Sequence, residues 1–173
     1  FNTEESWWRS DDPLEFAAKL VRGYVTEAAN GVSKTFGFHI FGEAGDSDHY
    51  GTVAADGTPM PAYAAFRTMT HRLEQADYAG ALTANSDPLK LHLFLRGNTP
   101  VLVGWSESQT SVKTELSPGI AQVTVIDLMD RERLVKTEAG KLTLTFTGLP
   151  QFIEGGDPVF LLSLAKLVAG LPG

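Results

Sequence analysis

The sequence predicts an α+β protein, and three observations carry that expectation. A helix-patterned segment near the start is followed by an apolar, strand-like run and a second helix pattern. From about residue 77 the pattern changes to seven or eight short alternating runs separated by turn residues. The expected arrangement is an α/β segment over 1–76 with two helices and one buried strand, then an antiparallel, Greek-key-like β-sandwich over 77–173 with a short C-terminal element.

Each element has a local cause. Asp12 before Pro13, with Glu15 three positions on, has the form of an N-cap with a capping box and proline at the first helical position. Leu14, Ala17, Ala18, Val21, Val25 and Ala28 recur at helical spacing, and Asn30-Gly31 supplies the stop. Val32 to Phe41 is rich in aromatic and β-branched residues with apolar side chains on both faces, so it is expected as a strand covered on both sides. Gly42 to Pro61 carries loop signals, and Pro61 opens a helix to about Gln75 with Tyr63, Phe66, Met69, Thr70 and Leu73 as its inner face. Beyond Ala76, strands are expected at 79–83, 89–95, 101–105, 112–116, 120–126, 134–137, 142–146 and 151–153, spaced roughly 8–12 residues apart as in sandwiches. Phe160, Leu161, Leu164 and Leu167 suit a short helix, although periodicity alone leaves a strand open.

Composition excludes several function classes. The formal net charge of -7, with 14 basic and 21 acidic residues and no basic stripe, argues against nucleic-acid or anionic-membrane partners. There is no cysteine, hence no disulfide, thiol nucleophile or Cys-ligated zinc. No run approaches the ~18 apolar residues of a membrane span. The chain begins with Phe1 and nothing resembles a signal peptide, so a processed or partial chain is expected. No cofactor is expected.

Chemistry concentrates at the beginning. Thr3-Glu4-Glu5-Ser6-Trp7-Trp8 places adjacent carboxylates beside two indole rings. Carboxylates attack or stabilise an anomeric carbon, and ring faces stack on the apolar face of a pyranose, so the pattern suits sugar chemistry, while a solvated acidic terminus is the plain alternative. His39 falls near the end of the expected strand, where a core histidine is an equal reading. Asp46, Asp48 and His49 form the cluster with metal-ligand character, but they match no calcium-loop spacing, and no metal site is expected. His71, with Arg67 and Arg72 near it, is expected at the surface, and Trp105 in the core.

These residues resemble a known family. Thr3-Glu4-Glu5-Ser6-Trp7, the helix, the run at 36–41, then Tyr50-Gly51-Thr52-Val53 and Asp56-Gly57-Thr58-Pro59-Met60-Pro61-Ala62-Tyr63-Ala64-Ala65-Phe66 are similar to the last two βα units of retaining glycoside hydrolases with a (β/α)8 barrel. In that superfamily a Thr-Glu-x-Gly-Trp-like strand seven carries the nucleophile, and a β-sandwich often follows helix eight. The chain departs from the pattern at Ser6, Val53 and Met60, where glycine, leucine and lysine are common.

The resemblance implies that 1–76 is a partial barrel holding the end of strand seven, helix seven, strand eight and helix eight. It implies Glu4, rather than Glu5, as the nucleophile, with Trp7, His39 and Tyr50 lining a carbohydrate site, and it leans toward a secreted or periplasmic protein. The acid/base of the family comes from the end of strand four, which is not in this sequence. A whole barrel takes roughly 250 residues, so the chain alone is expected to lack activity. Two other readings stand beside this one: a non-catalytic sandwich that binds carbohydrate or another protein, and self-association through an orphaned βα face.

Overall fold

The computed structural model describes residues 12–37, 40–42, 51–83 and 86–165. Helix α1 spans Pro13–Ala29. Asp12 caps it by accepting from the Leu14 N–H at 2.8 Å, and the chain turns out at Asn30 and Gly31, the latter at φ 78°. Glu15 pairs with Arg22 at 2.5 Å, and Arg22 also donates to the Gly148 carbonyl at 3.0 Å, which ties the helix to the far end of the chain. The buried stripe is Phe16, Ala17, Ala18, Val21, Val25 and Ala29; Leu14 is exposed.

Helix α2 spans Pro61–Leu73 and differs from expectation in which side it buries. Its inner residues are Ala62, Ala65, Thr68, Met69 and Arg72, while Tyr63 and Thr70 face solvent and Phe66 and Leu73 are half-buried. The alanines let the helix sit close to α1, and the larger rings occupy the flanks, where Phe66 meets Tyr24 edge-on at 5.3 Å.

Eight strands follow: β1 (Ala76–Ala81), β2 (Leu89–Arg96), β3 (Thr99–Ser106), β4 (Val112–Leu116), β5 (Gln122–Ile126), β6 (Glu132–Lys136), β7 (Leu142–Phe146) and β8 (Gln151–Glu154). Six form one sheet in the order β1-β2-β3-β8-β5-β6, and β4 pairs with β7 in a second, small sheet. Every pairing between these strands is antiparallel. The chain is therefore α+β.

The large sheet is a middle layer. Phe94, Val101, Val103, Trp105, Ile126 and Phe152 share one core cluster with α1 and α2. The alternate residues Leu91, Leu93, Leu102, Val123, Val125 and Ile153 share another with Leu142, Leu144 and Phe146 of the small sheet. This is the period-two alternation of a strand applied to two different covers. Helix α3 (Pro158–Leu164), capped by Asp157, closes the second core through Leu161.

Of the strand expected at 32–41, the described residues 32–37 form no strand, and 40–42 meet the chain only through an isolated bridge at Phe41. Residues 32–37 run without strand pairing, and Val32, Phe36, Ile40 and Phe41 are 46, 86, 62 and 61% exposed. A strand needs a neighbour for its N–H and C=O groups, and the eight strands of the two sheets pair among themselves. Double-sided burial is found instead on β3, whose residues Pro100 to Ser106 are all buried.

Gly104 marks how closely the layers meet. A Cβ there would lie 2.6 Å from both Leu91 Cδ2 and Phe146 Cε1. Gly104→Ala should lower stability by roughly 1–3 kcal/mol through overpacking, measured by urea unfolding; an unchanged midpoint would contradict the packing of the two sheets.

Candidate functional site

Glu4, Glu5, Trp7, Trp8, His39 and Tyr50, and the Asp46, Asp48 and His49 group, lie outside the described residues. The segments beside them are well tied. The Thr52 and Val53 N–H groups both donate to the Ile40 carbonyl at 2.9 Å, Gly42 donates to the Val53 carbonyl at 2.7 Å, and Met60 donates to the Thr52 carbonyl at 2.9 Å. Phe41 and Val53 thereby form an isolated parallel bridge. Gly51, at φ 103°, approaches this segment so closely that a Cβ would meet the Phe41 carbonyl carbon at 2.8 Å. Asp56 accepts from the Thr58 N–H at 2.8 Å, a bond that lowers its pKa. These bonds hold the approach to α2 against residues 40–42, beneath the exposed apolar strip of Phe36, Ile40 and Phe41.

Two polar constellations stand elsewhere. In the first, Arg72 reaches from α2 to Asp130 and Glu132, both at 2.6 Å, and to Glu154 at 3.4 Å. Glu154 also lies 3.5 Å from Arg96. Burial disfavours the Arg72 charge, but the hydrogen bonds that Arg72 donates to Asp130 and Glu132, and the nearby Glu154, outweigh it and raise its pKa. Arg72 is 8% exposed, whereas His71 beside it is exposed as expected. Helical spacing alone put Arg72 with its polar neighbours, because nothing local indicates that acids from β6, β8 and the turn before β6 converge on it.

The second lies where the end of α1 meets β1, β2 and β3. Alternation on β2 turns Leu91 and Leu93 toward the small sheet and His92 toward the helices. His92 pairs in register with Val103, so Trp105 is its diagonal neighbour, and the two rings stack at 5.1 Å and 22°. The Tyr78 hydroxyl is 3.4 Å from His92 Nδ1. Trp105 is core as expected, yet its indole N–H has no acceptor among the described residues. Lys90 and Glu107 face each other at 3.4 Å. With Thr26, Ala29 and Asn30 these residues enclose a cleft of about 240 Å³. Burial, then the Lys90 charge, depresses the His92 pKa to about 4. His92 went unnoticed in the sequence because a single histidine in a leucine-rich strand carries no pattern of its own.

Among the described residues there is no group of three or more His, Cys, Asp or Glu placed to hold a metal, and no helix is long and apolar enough to cross a membrane.

The fold has solved counterparts. It is similar to a family 39 glycoside hydrolase from the gut symbiont Bacteroides cellulosilyticus WH2, with TM-score 0.69 and 19% identity, over 84% of this chain and 31% of that one. It is also similar to a GH30 endoxylanase from Clostridium papyrosolvens C71, with TM-score 0.58 and 9% identity, over 86% and 40% of the two chains. A family 30 subfamily 8 xylanase from Clostridium acetobutylicum gives TM-score 0.53 and 9% identity, over 85% and 40%. The chain thus spans well under half the length of these glycoside hydrolases, and at these identities the likeness is one of fold. No family model and no curated protein matches the sequence.

Two outcomes follow from the polar groups. Arg72→Met should cost about 3 kcal/mol, because it removes the buried cation that joins Asp130, Glu132 and Glu154; chemical denaturation measures it, and a loss below about 1 kcal/mol would argue against a clamp. For His92, the folded pKa lies below the ordinary value of 6.5, so the unfolded chain binds more protons between about pH 6.5 and 4. Stability should therefore fall as pH drops through that window, by at most roughly 3 kcal/mol, and His92→Gln should flatten this part of the stability profile.

Proposed function

We propose that the chain is the C-terminal part of a retaining (β/α)8-barrel glycoside hydrolase, with residues 1–76 supplying the last two βα units and 77–173 a β-sandwich appendage. The observation that carries the reading is the pairing of this sandwich-and-helix fold, shared with parts of three glycoside hydrolases, with the Thr3-Glu4-Glu5-Ser6-Trp7 motif just ahead of α1. In barrel enzymes active sites gather at the C-terminal ends of strands. A carboxylate at a strand end before a helix therefore points into the site, and Glu4 has that place in the sequence.

In the complete enzyme, Glu4 would attack the anomeric carbon as an acid from another βα unit protonates the departing oxygen. The glycosyl–oxygen bond breaks and a glycosyl ester forms on Glu4. Water, deprotonated by the same second carboxylate, then releases the sugar with retained configuration. Trp7, His39 and Tyr50 line the sugar, and the substrate is a carbohydrate with an O-glycosidic link. The second carboxylate must stand about 5–5.5 Å from the first and belongs to a part of the barrel that this sequence does not contain, so the chain alone is inactive.

The exposed side chains of Val32, Phe36, Ile40 and Phe41 support this reading, because large apolar groups left in water within one short segment suit a face built to be covered. Further βα units would cover it in the complete enzyme. In isolation the same face drives self-association.

The purified 173-residue chain should not turn over aryl glycosides, whereas a protein extended upstream to a full barrel should, and Glu4→Gln should abolish that turnover while Glu5→Gln leaves most of it. Turnover by the chain alone, lost on Glu4→Gln, would overturn the fragment reading. Light scattering should report concentration-dependent association of the isolated chain, reduced by Phe36→Ser with Ile40→Ser; a strict monomer would exclude the apolar strip as a contact face.

A further inference from the structure

We infer that the cleft between the end of α1 and strands β1 to β3 is a binding site for a small neutral polyhydroxylated molecule of about monosaccharide size. The inference stands on the described residues and does not depend on the glycosidase reading.

Size limits the ligand first. The cleft of about 240 Å³ holds roughly eight waters at ~30 Å³ each, and it is smaller than the ~300–1,000 Å³ of sites that take drug-sized molecules. A single sugar ring or a short polyol fits, and an oligosaccharide chain does not fit inside it.

Charge limits it next. Lys90 and Glu107 face each other at 3.4 Å across the rim, so their charges offset each other. The buried His92 ring stays neutral at physiological pH, and Tyr78 is likewise uncharged, its pKa raised by burial. A site for a phosphate or carboxylate would present excess cation, and a cation site would present excess carboxylate. Here neither sign prevails.

Bonding chemistry points the same way. Around the cleft stand a cationic donor, Lys90; a carboxylate acceptor, Glu107; and groups able to play either part, the Tyr78 hydroxyl and the Asn30 amide. A molecule that satisfies donors and acceptors of both kinds without bringing charge is a polyol, since each hydroxyl donates once and accepts twice. The His92 and Trp105 rings stack on each other and are both buried, with Trp105 in the core shared with the helices, so this wall of the cleft is fixed by packing. Trp105 is the residue of this wall whose buried N–H lacks an acceptor among the described residues, which makes its environment sensitive to what enters.

The test uses the indole N–H signals of the intact 173-residue chain. Its three tryptophans give three signals, and Trp7→Phe and Trp8→Phe assign the Trp105 signal by elimination. Titration with glucose or xylose should shift the Trp105 signal saturably, and inorganic phosphate should not. Glu107→Gln should weaken the sugar response at least about tenfold and make phosphate effective, because the carboxylate that lines the cleft is then gone while the Lys90 ammonium remains. Lys90→Met with Glu107→Gln keeps the lining neutral but removes the ammonium donor and the carboxylate acceptor, so it should weaken the sugar response and leave phosphate without effect. An unmoved Trp105 signal at the highest soluble sugar concentration, a response to phosphate in the parent chain, or a sugar response unchanged in the double variant would each overturn the proposal. Sugar binding at the motif around Glu4 would instead move the Trp7 or Trp8 signals, so the failure of one reading is distinguishable from the failure of the other.

Discussion

The six-stranded sheet must be covered on both faces, and most of the molecule follows from that requirement. Its central strands carry large apolar side chains in both directions: Val101, Val103 and Trp105 one way, Leu91, Leu93 and Leu102 the other. Water on either face would expose them at roughly 25 cal/mol per Å². The helices cover one side and the β4–β7 ribbon covers the other. Neither cover is independent of the sheet, since an isolated two-stranded ribbon is marginal in water and helices of this length draw their stability from packing.

The polar contacts then set where each cover sits, which apolar burial alone leaves loose because it is non-directional. Arg72 fixes α2 over the β5–β6 end and β8, and Arg22 fixes α1 to the Gly148 carbonyl. These two arginines lie on different helices and grip different parts of the sheet assembly. Together they hold the helix layer, and with it the loop at 51–60, in one place relative to the strands. Buried ion pairs add little net stability, but leaving one half unpaired is costly, so they select this arrangement over near alternatives.

The same layering explains the division of the surface. The side of the helices that faces the sheet is finished, whereas the strip through Phe36, Ile40 and Phe41 has no cover of its own among the described residues. The cleft at the end of α1 arises from the seam between layers: a helix end and a sheet do not interlock, and the gap fills with side chains of mixed polarity.

Much of the fold was legible from local pattern. The Asp12-Pro13 cap, the Asn30-Gly31 stop and the proline start of α2 rest on neighbouring residues, and the strands at 112–116 and 142–146 rest on strict alternation bounded by turns. What sequence pattern cannot carry is partnership. The apolar run at 32–41 has strand composition, but a strand exists only where another offers its edge, and β3 took the doubly covered place. Arg72 carries no local sign of burial, and the acids that meet it lie 58, 60 and 82 positions away. His92 became part of a site only when register set it diagonal to Trp105. The chain's own residues determined the helices, their caps and the alternating strands; the tertiary structure alone decided which faces are covered, which charges meet and where a cleft remains, because those depend on contacts between positions far apart in the chain.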